Sequence, residues 1–161
     1  MNAEPDDVFA RIGRANWLGH QGDRAGARAV LMEIWEAIGQ DGEALYHCAL
    51  AHSMADVQDD PREELVWDLR ALDAAARITD ESVEAAGLPV SARDFYPSLH
   101  LNLADVYRRL GAGNEARRQV ALGRRTAVAL ADDGYRQMIT AALDRTEREE
   151  GMNERGGLSG S

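Results

Sequence analysis

Histidine and cysteine are the residue types in this chain that could hold a metal ion or supply a nucleophile. His47 and His52 lie five residues apart in one predicted helix, so their side chains point about 140° away from each other. Helical residues that share a metal ion need a spacing of three or four instead. Cys48 adjoins His47 and faces another direction. We therefore predict structural hydrogen bonds for the histidines and no metal site.

The motifs that mark common enzyme classes do not occur either. The sequence contains no P-loop, nucleophile elbow, zinc-protease signature or Cys-x-x-Cys pair. Gly111-Ala112-Gly113 follows a predicted helix and lacks the third glycine of a dinucleotide-binding loop, so it predicts a turn between helices. The adjacent carboxylates at 59–60 and 132–133 lie at predicted helix ends, where capping explains them. We predict no catalytic residues, no cofactor and no enzyme activity.

Composition and charge exclude further classes. The 161 residues include 28 acidic and 18 basic ones, a net charge of −10, and nucleic-acid binding instead needs a cationic surface. No apolar run approaches the ~20 residues that span a bilayer, and the acidic N-terminus does not resemble a secretory signal. The lone cysteine suits a reducing compartment. We expect a cytoplasmic protein without membrane contact, and basic residues that are all arginine indicate a GC-rich bacterial source.

The spacing of apolar residues predicts helices along nearly the whole chain and no strands. We expect seven main helices joined by short turns, with a short helical turn over 81–86 in the longest connection. Asp60-Pro61 is the clearest helix start, because Asp60 can cap the first turn and Pro61 has no N–H to satisfy there. The fourth helix is predicted to bury Leu65, Leu69, Leu72 and Ala76.

The predicted domain covers residues 1–150, and the tail over 151–161 is rich in Gly and Ser and nearly free of apolar residues. Such composition cannot bury enough apolar surface to offset chain entropy. We predict one helical domain followed by a disordered tail.

Short turns make neighbouring helices antiparallel hairpins, and one hairpin carries a recognisable pattern. It has the order His100-x2-Leu103-Ala104-x2-Tyr107, then Gly111, then Ala116-x3-Val120-x2-Gly123. Its small residues let two helices approach closely. This pattern resembles that of the tetratricopeptide repeat (TPR) family, although His100 replaces the usual Trp and Val120 the usual aromatic residue. The first hairpin is a fainter copy with Ala15, Leu18, Gly22, Ala27 and Leu31 at matching offsets, and the middle one fits only by its two helices.

The resemblance implies an all-α stack of about three antiparallel hairpins and a C-terminal capping helix. It also implies that a protein or peptide binds in a groove lined by the first helix of each pair. The matching positions are Ile12, Asn16, Leu101, Asp105 and Arg108. The co-chaperone subgroup of the family clamps a terminal carboxylate with Lys, Arg and Asn; Asn16 fits that pattern, whereas Ile12, Asp105 and the absence of Lys argue against it.

Charge is distributed unevenly along the chain. Residues 41–87 contain twelve acidic and three basic residues, whereas residues 101–130 contain two acidic and six basic ones. Four of these arginines repeat at seven residues and are predicted to form one stripe on the sixth helix: Arg117, Arg118, Arg124 and Arg125. Guanidinium groups bind carboxylates and phosphates with paired hydrogen bonds. The stripe is therefore either a solvated face or a surface for an acidic ligand.

Two functional hypotheses follow from these patterns. The first is a protein–protein interaction adaptor that receives a peptide or helix in a helical groove. The alternative is a regulatory domain that binds an acidic or phosphorylated ligand through the arginine stripe. Trp17, Trp35 and Trp67 either pack between hairpins or anchor a partner.

Overall fold

The computed structural model describes residues 5–157, and every regular element within them is helical. The helices are α1 (Pro5–His20), α2 (Arg24–Ile38), α3 (Ala44–Asp56), α4 (Pro61–Ala75), α5 (Asp80–Ala85), α6 (Tyr96–Arg109), α7 (Gly113–Ala127) and α8 (Gly134–Gly157). A 3-10 turn over Ala92–Phe95 leads into α6. The predicted all-α class with helices packed in adjacent pairs is confirmed, and the predicted short helical turn is α5.

Aspartate and glycine set the turns, as their positions in the sequence predict. At the start of α2, Asp23 Oδ1 accepts a hydrogen bond from the Gly26 N–H at 2.9 Å. At the start of α4, Asp60 Oδ1 accepts one from the Arg62 N–H at 2.9 Å. Gly111, between α6 and α7, has a φ of 76°, a left-handed conformation that side chains disfavour. These turns are short, so consecutive helices fold back on each other.

The chain divides into two compact units between Ala92 and Arg93. Unit 1 contains α1–α5, and unit 2 contains α6–α8. The centre of unit 1 is α3, which packs mainly on α4 and also contacts α1 and α2. Nine of its thirteen residues are buried, because a helix with neighbours on several sides is apolar around most of its circumference. The single domain predicted over 1–150 stays a prediction.

In α4, the buried face differs from the one that the leucine spacing predicts. The buried residues are Trp67, Asp68, Ala71, Ala74 and Ala75. Leu69 is instead 42% exposed, Ala76 is exposed, and Leu65 and Leu72 are half-buried. The prediction was therefore wrong for Leu69 and Ala76. The physical reason is that the three alanines let the backbone of α4 lie close to α3, and tight packing outweighs leucine size.

Unit 2 is built on the α6–α7 hairpin, against which α8 packs. The predicted small residues Ala104, Ala116 and Gly123 are all buried. At Gly123 the helices are closest, since a Cβ there would lie 2.8 Å from Leu143 Cδ2 of α8. Leu143 is fully buried together with Ile139 in the core of the unit.

The last helix extends further than the sequence predicts. We expected disorder from residue 151, but α8 continues to Gly157; residues 158–161 lie outside the described residues. The buried face of α8 changes from Ile139 and Leu143 to Thr146 and Glu150, so polar contacts hold its second half. Among the described helices, none is long and apolar enough to cross a membrane.

Candidate partner-binding surfaces

The two groove positions predicted on α1 differ in accessibility. Ile12 is 5% exposed and lies in the core of unit 1, so it offers little surface to a ligand. Asn16 is half-buried, and its neighbour Trp17 is 61% exposed. Large apolar side chains at the surface often anchor partners. The accessible anchor on this helix is therefore Trp17, which the groove assignment did not include.

The groove positions predicted on α6 make contacts within unit 2. Leu101 packs against the apolar core of the unit. Asp105 accepts hydrogen bonds of 2.9 Å from Arg108 Nη2 and from Arg109 Nε. Arg108 Nη2 also lies 3.3 Å from Glu149 Oε2 on α8. A ligand carboxylate would have to compete with two protein carboxylates for Arg108.

The four arginines predicted to form one stripe divide into two pairs. Arg117 and Arg124 point towards α8, where Arg117 forms an ion pair with Glu154 and Arg124 bonds to Glu147 and Asp144. Arg118 and Arg125 are exposed, and neither is bonded to any residue that the structure describes. Consecutive helical residues diverge by about 100°. The inner pair therefore binds α8, while the outer pair faces solvent.

Arg124 is the strongest electrostatic centre of this surface. Its Nη1 and Nη2 donate parallel hydrogen bonds of 3.0 and 2.7 Å to the two carboxylate oxygens of Glu147, and Nη2 donates a third, of 2.7 Å, to Asp144. The hydrogen bonds to Glu147 and then to Asp144 raise the pKa of Arg124 above its usual value. The hydrogen bond from Arg124 in turn lowers the pKa of Glu147. Both groups stay charged at neutral pH.

A polar cavity of about 340 Å³ lies between the α6–α7 turn and α8. Its lining includes Arg108, Asn114, Arg117, Glu150, Asn153 and Glu154. The two guanidinium groups are matched by two carboxylates, and Glu150 lies only 3.6 Å from Arg117. Because its charges are balanced internally, the cavity has no preference for an anionic ligand.

The outward face of α4 is the principal apolar surface of unit 1. Val66 and Leu69 are each 42% exposed, and Leu65 and Leu72 are half-buried beside them. We call these four residues the α4 stripe. Their spacing is visible in the sequence, but it predicts burial in the core rather than exposure, so sequence reasoning missed this surface.

The three tryptophans have different environments. Trp67 is 5% exposed and its ring meets that of Trp35 edge-on, with the centroids 5.1 Å apart. The guanidinium of Arg70 lies 4.3 Å from the centre of the Trp67 ring, a favourable cation–π arrangement. The packing role predicted for tryptophan describes Trp35 and Trp67, whereas Trp17 is at the surface.

The histidines and the cysteine make structural contacts. His47 is buried, with Nε2 2.9 Å from the Gly39 carbonyl oxygen, and His100 Nδ1 lies 2.7 Å from Gln119 Oε1. Burial raises the pKa of the Cys48 thiol to about 11, which suppresses its thiolate form at neutral pH. In the described part of the chain, no three acidic, histidine or cysteine residues cluster as metal ligands would.

Comparison of the sequence and the fold with known proteins gave no match to any family model, curated protein or solved structure.

Proposed function

We propose that this chain is a protein-interaction adaptor of the TPR type and that the α4 stripe binds an amphipathic helix of a partner protein. The observation that carries the proposal is the exposure of Val66 and Leu69 on a helix whose opposite face is fully packed. Exposed apolar side chains grouped on one helix mark interaction sites more often than scattered ones do.

A helix is the ligand that this surface fits best. Leu65, Leu69 and Leu72 are spaced by four and three residues, so they form a ridge that packs into the groove between side chains of another helix. Burying an apolar side chain of this size contributes about 1.5–3 kcal/mol. Four partly exposed residues therefore suit one helix rather than a large folded interface.

Charge in the same region favours a basic partner. The segment over 41–87 contains twelve acidic and three basic residues, so a ligand with Lys or Arg flanking its apolar face is attracted and steered to it. We propose the bacterial cytoplasm as the place of action. The buried, unreactive Cys48 and the exclusive use of arginine support that part of the proposal.

The test starts with a photo-crosslinking amino acid at position 69 in the native host, compared with the same residue at position 128. Val128 is also exposed, but it lies in unit 2. The segment crosslinked from position 69 is then synthesised as a peptide, and its affinity for purified variants is measured by fluorescence anisotropy.

Replacing Val66 and Leu69 with Glu should weaken peptide binding at least about tenfold, since each apolar contact at an interface centre is worth roughly 1 kcal/mol. The matched variant Val128→Glu, which places the same charge on unit 2, should bind like the wild type. Circular dichroism checks that both variants stay folded. Equal binding of the Val66/Leu69 double variant and the wild type would refute the proposal.

A further inference from the structure

Unit 2 already contains an acidic helix bound to arginines of α7. Arg117 and Arg124 are seven residues apart, and their partners Glu154 and Glu147 on α8 are also seven apart. The earlier arginine pairs with the later glutamate, so the two helices run antiparallel. Seven residues are about two turns, or about 10.5 Å. Two charges at equal separation on each helix therefore meet in register.

The same arrangement of charges occurs a second time on α7, one residue further along. Arg118 and Arg125 are again seven apart and form a second row about 100° around the helix. Both are exposed, and the described residues supply no bonding partner for either. This row repeats the spacing that binds α8, but it faces solvent.

Small and apolar residues complete this surface. Ala121 lies between the two arginines and is exposed, and Val128 follows at the end of α7 with 70% of its surface exposed. The four residues Arg118, Ala121, Arg125 and Val128, here called the outer α7 stripe, are spaced by three, four and three. This is the spacing of a helix-packing seam, and a small residue at its middle permits close approach.

We propose that the outer α7 stripe binds an acidic amphipathic helix of a partner protein, antiparallel to α7. The ligand helix carries two acidic residues seven apart with small or apolar residues between them. This surface is in unit 2 and is independent of the α4 stripe. The precedent is the binding of α8 by the neighbouring row of arginines.

Charge and spacing exclude a second copy of the chain and favour a protein helix over a nucleic acid. Among the described helices, only Glu147 and Glu154 form an acidic pair seven residues apart, and the inner arginines already bind them. A nucleic acid needs several phosphate contacts, and the chain as a whole carries a charge of −10.

The probe is a fluorescent helical peptide of about 20 residues with two glutamates seven apart and alanine or leucine between them; shorter helices are marginal in water. A control peptide of identical composition has its glutamates five apart, so they point in different directions. Binding to the full-length protein is measured by anisotropy at low and at physiological salt.

Replacing Arg118 and Arg125 with Ala should weaken binding of the seven-spaced peptide about tenfold, and added salt should weaken binding to the wild type. The matched control replaces Arg145 and Arg148 with Ala. These two arginines are exposed on α8 and lack bonding partners among the described residues, so this variant makes the same change in net charge. It should bind like the wild type.

Three results would overturn the proposal. The first is equal binding of the two peptides, because the spacing would then be irrelevant. The second is an equal loss in the two arginine variants, which would mean non-specific attraction. The third is displacement of the peptide by duplex DNA or by anionic vesicles at lower concentration, which would identify a different class of ligand.

Discussion

Gly123 offers the sharpest test of helix packing in unit 2. A glycine within a helix costs about 1 kcal/mol relative to alanine, so Gly→Ala stabilises wherever space allows. At Gly123 a Cβ would meet Leu143 Cδ2 at 2.8 Å and Cδ1 at 3.2 Å. Forcing extra atoms into a packed core costs about 1–3 kcal/mol. Gly123→Ala should therefore lower the free energy of unfolding by about 1 kcal/mol net.

Gly13 is the matched control for this substitution. It lies within α1, is exposed, and a Cβ there would meet no atom within 4 Å. Gly13→Ala should therefore raise the free energy of unfolding by up to about 1 kcal/mol. The chain's tryptophans, at 17, 35 and 67, all lie in unit 1. Urea unfolding followed by tryptophan fluorescence thus reports on Gly13, and circular dichroism reports on both substitutions.

A double-mutant cycle isolates the steric contact. Leu143→Ala removes both overlapping methyl groups and by itself costs about 2–5 kcal/mol. The nearest remaining atom to the new Cβ is then His100 Cβ at 3.5 Å, an ordinary contact. Gly123→Ala should become stabilising in the Leu143→Ala background. If it stabilises the wild type as much as Gly13→Ala does, the close approach of α7 and α8 is refuted.

Three other measurements check separate parts of the structure. Cys48 is 4% exposed and has a raised pKa of about 11, so a thiol reagent should modify it only on unfolding; rapid labelling of the folded protein would contradict this. The pKa of Glu147 is lowered from 4.5 by Arg124, so their pairing should stabilise the fold above about pH 4.5 and lose its effect as the pH falls through the lowered value. The effect should stay under about 1 kcal/mol because Glu147 is 52% exposed, and comparison of wild type with Glu147→Gln across pH measures it. Trp67→Ala should destabilise unit 1 by about 3–5 kcal/mol, but Leu69→Ala by under about 1 kcal/mol; equal losses in urea unfolding would mean that the buried face of α4 is misassigned.

The helices and turns were predictable because the signals that create them are local. Asp60 caps the helix that begins one residue later, and Gly111 adopts the turn conformation that its side chain permits. The small residues at Ala104 and Gly123 also marked close helix contacts correctly. Each of these depends on residues within one hairpin or on the properties of a single side chain.

The candidate surfaces were only partly predictable. The arginine repeat on α7 was visible in the sequence, but its division into a bound and an exposed pair depends on α8, whose Glu147 lies 23 residues from Arg124. No local pattern specifies the register of two helices at that separation. The continuation of α8 beyond residue 150 is supported by the same kind of contact, between Arg117 and Glu154.

Periodicity alone establishes that α4 has two contrasting faces, one of leucines and one of alanines with Trp67. Only the tertiary structure decides that the alanine face packs on α3 and that Leu69 remains at the surface. Hydrophobicity ranks leucine above alanine for burial, whereas packing depends on how closely two backbones can approach. That distance is a property of both helices together, which is why the binding surface proposed on α4 emerged from the fold and the helix itself from the sequence.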